Sequence, residues 1–432
     1  MKANVRLSIF VGLMGLLLTG TTRAEDVFIV GVGTHLMESQ TLQKRALQSA
    51  ADAGITSVRD DAFWSTAEPA RNQLRILPSW ETYLNGARNL QLSTMLIFGY
   101  GAVPYDGAKP RTPNVTAAYH NYIDFVSRRF GNRVDFYEVW NEWDMEGTKD
   151  PALSTDYAAL AKSVVPWVRK NNPQAKVLAG AVTSKGMLDG FVDRLIDAGT
   201  LNEVDGLSLH PYVHCMSLAR NTPESWANWM RGYEAQVRDR AKKAVAIYLT
   251  EMSWPSHQGN CGISEAKQSS YLARSYFLAR TIPNIKGMWW YDLLNDGQDK
   301  GEQEHNFGLL RPDLQPKPAY SVLKAISPIL REYTYDADAS VQADDVYLLN
   351  FHKGPERVVV AWTASRSRQK SVLGSTQLTG NVQLIDTAAP GKGLHDSGEP
   401  WACNASGCSA SVTLSDFPKI IRLGTTSVVS KR

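Results

Sequence analysis

The sequence predicts an α/β protein, a (β/α)8 TIM barrel followed by a small all-β sandwich domain. Three observations predict it. Apolar, β-branched runs alternate with helix-periodic segments eight times over about 300 residues, the beat of a parallel barrel. Two of the apolar runs end in a glutamate, Glu142 and Glu251, where a strand tip of such a barrel carries chemistry. Beyond residue 328 helical periodicity stops, and short apolar runs divided by turn residues take over.

The elements follow in order. Residues 27–33 form an apolar strand that ends at Thr34 and His35. Residues 40–53 carry helical periodicity, which Gly54 stops. The second strand, 56–59, leads into Asp60, Asp61, Ala62, Phe63 and Trp64. A helix at 80–90, a strand at 93–98, a helix at 116–130 and a fourth strand at 134–142 come next. The second half repeats the beat: helix 156–171, strand 176–182, helix 187–198, strand 204–209, helix 226–242, strand 244–251, helix 264–280 and strand 285–291. A doubly wound open sheet is the alternative for such alternation, but it commonly uses fewer strands, and no Gly-rich phosphate loop follows the first strand. Pro328 is expected to break the last helix. Apolar runs at 346–351, 357–362, 382–385, 410–414 and 419–423 then predict the sandwich, with a polar, frayed tail after Gly424.

The N-terminus reads as a secretory signal. Lys2 and Arg6 precede the apolar run 7–18, and Thr22-Arg23-Ala24 offers small residues for cleavage. The expected division is therefore a signal peptide at 1–24, a barrel at 25–328 and a β-sandwich at 329–432, in a secreted or periplasmic protein. The formal charge is +3, and the signal holds three cations and no acid, so the mature chain is close to neutral. That composition gives no reason to expect nucleic acid or an anionic membrane as partner, and no other stretch is long enough to span a bilayer. The four cysteines can oxidise in an exported chain. Cys403 and Cys408 could clip one hairpin or loop, and Cys215 and Cys261 fall in neighbouring loops above the barrel, but three pairings remain open. No Cys-x-x-Cys or His-Glu-x-x-His motif supports a metal site.

The strand tips collect His35, Arg59, Trp64, Asn141, Glu142, His210, Tyr212, Glu251, Trp254 and Trp290, with Trp143 beside them. Cleavage of a glycosidic bond needs one carboxyl to protonate the leaving oxygen and a second to attack the anomeric carbon or activate water. Aromatic faces stack on pyranose rings. Glu138 shares strand parity with Glu142 and reads as a structural acid deeper in the barrel.

On these residues the chain resembles the retaining glycoside hydrolases of clan A. Val139-Trp140-Asn141-Glu142, His210-x-Tyr212 and Thr250-Glu251-x-x-Trp254 are similar to the clan's patterns on strands four, six and seven. Asn306-Phe307-Gly308-Leu309-Leu310 and Pro316-Lys317-Pro318-Ala319-Tyr320 also match, and the C-terminal β-domain points to family 39. That family holds β-xylosidases, α-L-iduronidases and endoglycosidases encoded with exopolysaccharide genes. The resemblance implies that Glu142 is acid/base and Glu251 nucleophile. It further implies that Asn141 binds the sugar 2-hydroxyl and that Tyr212 and Arg59 hold Glu251 ionised. His210 would tune the acid or bind substrate, and Trp290 would floor the subsite. Trp143 stands where the clan usually has proline. The expected partner is a polysaccharide or oligosaccharide, with no cofactor and a monomeric chain. A non-catalytic polysaccharide-binding scaffold and a transglycosidase are the alternatives.

Overall fold

The computed structural model describes residues 27–39, 41–217, 219–343, 345–364, 368–374, 378–405, 407–424 and 428–431. The expected signal segment, 1–24, lies outside the described residues. Eight parallel strands close into a barrel in sequence order: β1 (Ile29–Gly33), β2 (Ser57–Asp61), β3 (Ser93–Phe98), β4 (Phe136–Val139), β5 (Lys176–Thr183), β6 (Gly206–His210), β7 (Ile247–Met252) and β8 (Ile285–Trp290). β1 pairs with both β2 and β8, which excludes the open sheet.

A principal helix follows each strand: α1 (Gln43–Asp52), α2 (Pro78–Asn89), α3 (Pro113–Phe130), α4 (Pro151–Asn171), α5 (Phe191–Asp197), α6 (Pro223–Ala241), α7 (Glu265–Ala279) and α8 (Pro318–Glu332). Helices α2, α3, α4 and α6 begin two to five residues before apolar periodicity alone places them. Each opens on proline, whose fixed φ suits the first helical position and whose missing N–H would have no intrahelical partner there. Pro328 does not end α8. It sits on the exposed face, as does Lys324, whose carbonyl it leaves without a helical donor, while Ile326, Ile329 and Leu330 pack inward and carry the helix to Glu332.

Pleating decides what fills the barrel. Met95, Phe136, Leu178, Tyr248 and Trp289 form its apolar floor. A Cβ on Gly31 would lie 2.4 Å from the Trp289 ring, so β1 needs glycine there. Two residues further along β2, β4 and β6 the inward positions turn polar, with Arg59, Glu138 and His210 all buried.

Ten further strands follow: β9 (Thr334–Ala343), β10 (Val346–Lys353), β11 (Glu356–Thr363), β12 (Arg368–Gly374), β13 (Asn381–Asp386), β14 (His395–Pro400), β15 (Ala402–Asn404), β16 (Gly407–Leu414), β17 (Lys419–Gly424) and β18 (Val428–Lys431). They form a six-stranded sheet, β14-β13-β17-β11-β10-β9, and a four-stranded sheet, β15-β16-β12-β18. The tail expected to fray instead supplies β18, which pairs with β12. Leu348, Val359, Val382 and Leu384 of the large sheet meet Ala410, Val412 and Leu414 of the small one. The alternate residues Leu349, Phe351, Val358, Val360 and Trp362 join the barrel's own core. Both faces of the large sheet are thus covered, which is why β10 and β11 read as near-continuous apolar runs. Disulfides join Cys215 to Cys261, between the loops after β6 and β7, and Cys403 to Cys408, across the β15–β16 hairpin. No helix among the described residues is long and apolar enough to cross a membrane.

Candidate active site

The C-terminal strand ends open into one cleft of about 510 Å3. Among the residues singled out in the sequence, His35, Arg59, Asn141, Glu142, His210, Tyr212 and Glu251 line it. Two backbone irregularities bring the glutamates there. β4 ends at Val139, and Trp140 (φ 66°) and Glu142 (φ 47°) are left-handed, a turn that swings Glu142 over the mouth. On β7, Tyr248 and Thr250 face inward, so strict alternation would send Glu251 outward. The β7–β8 register slips between Leu249 and Met252, and this bulge turns Glu251 inward beside Thr250.

The two carboxylates and an imidazole form one constellation, in which an oxygen of Glu142, a ring nitrogen of His210 and an oxygen of Glu251 all lie within 4.8 Å of one another. His210 Nδ1 is 2.9 Å from Glu142 Oε1 and 3.6 Å from Glu251 Oε2, and its Nε2 is 3.1 Å from Thr250 Oγ1. Arg59 donates from Nη1 to Glu251 Oε1 (2.7 Å), from Nε and Nη2 to Glu138 Oε2 (2.8 and 2.6 Å), and from Nη2 to Asn141 Oδ1 (2.9 Å). That last bond turns the Asn141 NH2 group away from Arg59. Tyr212 Oη donates to Glu251 Oε2 (2.9 Å).

Burial alone would raise the Glu251 carboxyl, but the His210 charge, the Arg59 guanidinium and the Tyr212 hydroxyl outweigh it and hold the group below the ordinary glutamate range. Burial opposes a charge on His210, but Glu251 and the bond to Glu142 prevail and raise its pKa. His35 is raised for a similar reason: Asp296, bonded to its Nδ1 at 2.9 Å, and Asp292 outweigh desolvation.

Four tryptophans expected at the cleft do not line it. Trp64, Trp143, Trp254 and Trp290 are each 0 % exposed. Trp64 donates its indole N–H to Glu68 (2.7 Å), Trp143 to the Leu153 carbonyl (3.0 Å) and Trp254 to Asn221 (2.6 Å), which anchors these rings within the shell around the barrel. Trp290 fails for a pleating reason. Trp289 fills the floor, so Trp290 points to the helices and Tyr291 faces the cleft.

Sequence reasoning missed Asp61, Tyr100, Lys185, Tyr291 and Glu304, all of which line the cleft. Parity carried the signal for two of them, since Asp61 follows Arg59 by two residues and Tyr291 follows Trp289 by two. Glu138 is wholly buried under Arg59, as a structural acid.

No protein-family model matches the chain, and no curated protein matches it by sequence. Solved structures do. A family 39 glycoside hydrolase from the gut symbiont Bacteroides cellulosilyticus WH2 is 25 % identical, with TM-score 0.74 over 91 % of this chain and 80 % of that one. A family 39 enzyme from Xanthomonas axonopodis pv. citri shares 12 % identity at TM-score 0.62, over 92 % of this chain and 94 % of its own. A monomeric β-xylosidase from Caulobacter crescentus CB15 shares 13 % at TM-score 0.62, over 92 % and 96 %. These last two likenesses speak for the fold alone. The barrel, the appended β-domain and the 25 % identical likeness together support the class, a clan A-like glycoside hydrolase. Within that clan the chain is family 39-like.

Proposed function

We propose that this protein is a secreted retaining glycoside hydrolase that cuts within a polysaccharide chain, a bacterial exopolysaccharide being the polymer class put forward. The observation that supports retention is the approach of Glu142 and Glu251, an oxygen of each within 4.8 Å of the other. Retaining pairs stand about 5–5.5 Å apart, whereas inverting pairs need about 6.5–9.5 Å to admit a water.

Glu142 is assigned acid, then base, and Glu251 nucleophile. Glu142 protonates the bridging oxygen as a Glu251 oxygen bonds to the anomeric carbon. The old C–O bond breaks, and the departing chain leaves as an alcohol. Glu142, now ionised, takes a proton from water, the water oxygen attacks the same carbon, and the Glu251 ester bond breaks. Arg59 and Tyr212 hold one Glu251 oxygen each, which favours the ionised nucleophile. Asn141 is assigned to the 2-hydroxyl, with its amide donors free of Arg59. Two carboxyls and water suffice, so no metal or cofactor is assigned. All these groups come from one chain, in keeping with a monomer.

The test pairs a reducing-end assay with NMR of the first-formed product, on exopolysaccharides and plant β-glycans. Glu142→Gln and Glu251→Gln are each expected to lose at least ~100-fold in kcat while staying folded. A substrate with a leaving group that needs no proton should restore the first step to Glu142→Gln alone. A product of inverted configuration would overturn retention. If the wild type binds polymer without cutting it, and the glutamine variants bind equally, the scaffold reading takes over. Products lengthened by an added acceptor sugar would make the enzyme a transglycosidase. Export predicts a mature N-terminus at Glu25, readable by N-terminal sequencing.

A further inference from the structure

The cleft contains one carboxylate that its own fold does not use. Asp60 and Asp61 are adjacent on β2, and their fates differ. Asp60 also lines the cleft, but its carboxylate is fully engaged: Oδ2 accepts from Thr34 Oγ1 (2.6 Å), Leu36 N (2.8 Å) and Met37 N (3.1 Å), and Oδ1 accepts from Asp61 N (2.8 Å). Asp61 has the parity of Arg59 and lines the cleft, yet is only 7 % exposed. Its Oδ1 is buried without a hydrogen-bond partner, and no ion pair reaches Asp61 among the described residues. A buried, unpaired carboxylate destabilises the fold, and such a group persists where something outside the fold satisfies it.

Its position says what. Two residues of strand rise, roughly 6.6 Å, separate Asp61 from Arg59, the residue bonded to Glu251. Asp61 therefore stands on the cleft wall above Arg59, at the depth of a sugar ring held against Glu251. The charge around it selects the ring's substituents. Of the cations on the cleft wall, Arg59 is spent on Glu138 and Glu251, and Lys185 on Asp189 (2.6 Å). His35 is bonded to Asp296, and His210 to Glu142. Glu304 adds another acid. A sugar carboxylate would meet Asp61 and Glu304 with no free cation among the described lining residues. Hydroxyl or ammonium donors would find in Asp61 an acceptor that is already desolvated.

We propose that Asp61 is a specificity-determining residue. Its carboxylate accepts hydrogen bonds from hydroxyl or ammonium donors of the sugar unit bound against Glu251, and it rejects a uronate at that position. The proposal rests on the glycosidase reading above. Burial, with Asp60 next to it, pushes the Asp61 carboxyl up to about 7 against the pull of Arg59, so the accepting carboxylate is its main form above that pH.

The experiment uses the full chain as wild type, Asp61→Asn and Asp61→Ala. Three hexasaccharides serve as probes: mannohexaose for hydroxyl donors, chitosan hexamer for ammonium and hexagalacturonate for uronate. Cleavage, calorimetric binding and Tm are measured for each. The wild type should bind or cut a neutral or amino probe at least tenfold better than the uronate. Both variants should lose about 10- to 100-fold against the preferred probe, the worth of a hydrogen bond to a charged group. A larger loss on chitosan would identify ammonium as the donor, and a loss confined to mannohexaose would identify hydroxyls. The Tm of Asp61→Asn should equal or exceed the wild type's, which a merely structural acid would not give. Equal use of the uronate, or variants within twofold of wild type on every probe, would overturn the assignment and leave the glycosidase reading standing. Asp61-dependent binding without cleavage would keep Asp61 and sink the hydrolase. If no probe binds or is cut, both fall.

Discussion

Arg59 is the hinge of the site at the scale of the residue. One guanidinium neutralises two buried acids and orients Asn141. Arg59→Ala leaves Glu138 buried and unpaired, and should cost about 3–5 kcal/mol in stability. Tyr212→Phe is the milder test. It removes the donor to Glu251 Oε2 and should lower kcat about 10- to 100-fold. It should also move the acid limb of the pH–rate profile upward, because that hydroxyl helps hold Glu251 below its ordinary range. The wild-type profile should be bell-shaped. Its acid limb lies below about 4.3, the ordinary glutamate value. Its basic limb reports loss of the proton that the acid, Glu142, must deliver. The same shifts bear on stability. The depressed Glu251 stabilises the fold above its unfolded pKa, and this is lost as pH falls through the folded value. The raised His210 stabilises below its unfolded pKa, and this is lost as pH rises through the folded value. A flat pH–rate profile would count against the proposed roles.

The barrel strands work in two layers at the scale of the element. An apolar floor sets their spacing, and a polar tier above it carries the site. The floor depends on Gly31, whose missing side chain makes room for Trp289. Gly31→Ala should overpack the floor and lower stability by about 1–3 kcal/mol, measured by denaturant midpoint. The pH profile of surviving activity should keep its shape, since no cleft residue is touched. A variant as stable as wild type would show that the ring can shift. The bulge on β7 is the other decisive local feature. It sets Thr250 and Glu251 on the same side, so His210 touches one residue and stands close to the other.

The β-domain is joined to the barrel as part of one core at the scale of the molecule. Glu224 at the start of α6 accepts from Trp362 of β11 (2.9 Å) and from Arg274 of α7 (2.8 Å through Nε). Ser270 donates to the Asp416 carbonyl (2.7 Å), and Phe277 packs on Phe351 with ring centroids 5.7 Å apart. Glu224→Ala leaves Arg274 buried without its partner and should destabilise by about 3–5 kcal/mol. Barrel and β-domain should unfold in one calorimetric transition, both in this variant and in wild type. Two separated transitions would show that the shared core does not couple them.

Periodicity and residue type alone determined the eight-fold β/α beat, the all-β domain and the glutamates at strand tips four and seven. They suffice because burial of one face imposes its period on the chain. Arg59, Asn141, Glu142, His210, Tyr212 and Glu251 were legible as polar groups at the ends of apolar runs. The disulfide pairing and the continuation of α8 past Pro328 were decided by tertiary structure, as were β18 and the burial of the tryptophans. Each depends on what lies across from a residue rather than beside it in sequence. Trp290 and Tyr291 differ by one step of pleat, and only the closed barrel fixes which one faces the cleft. Asp60 and Asp61 are identical as letters. The partners that the fold supplies to the first and withholds from the second tell them apart.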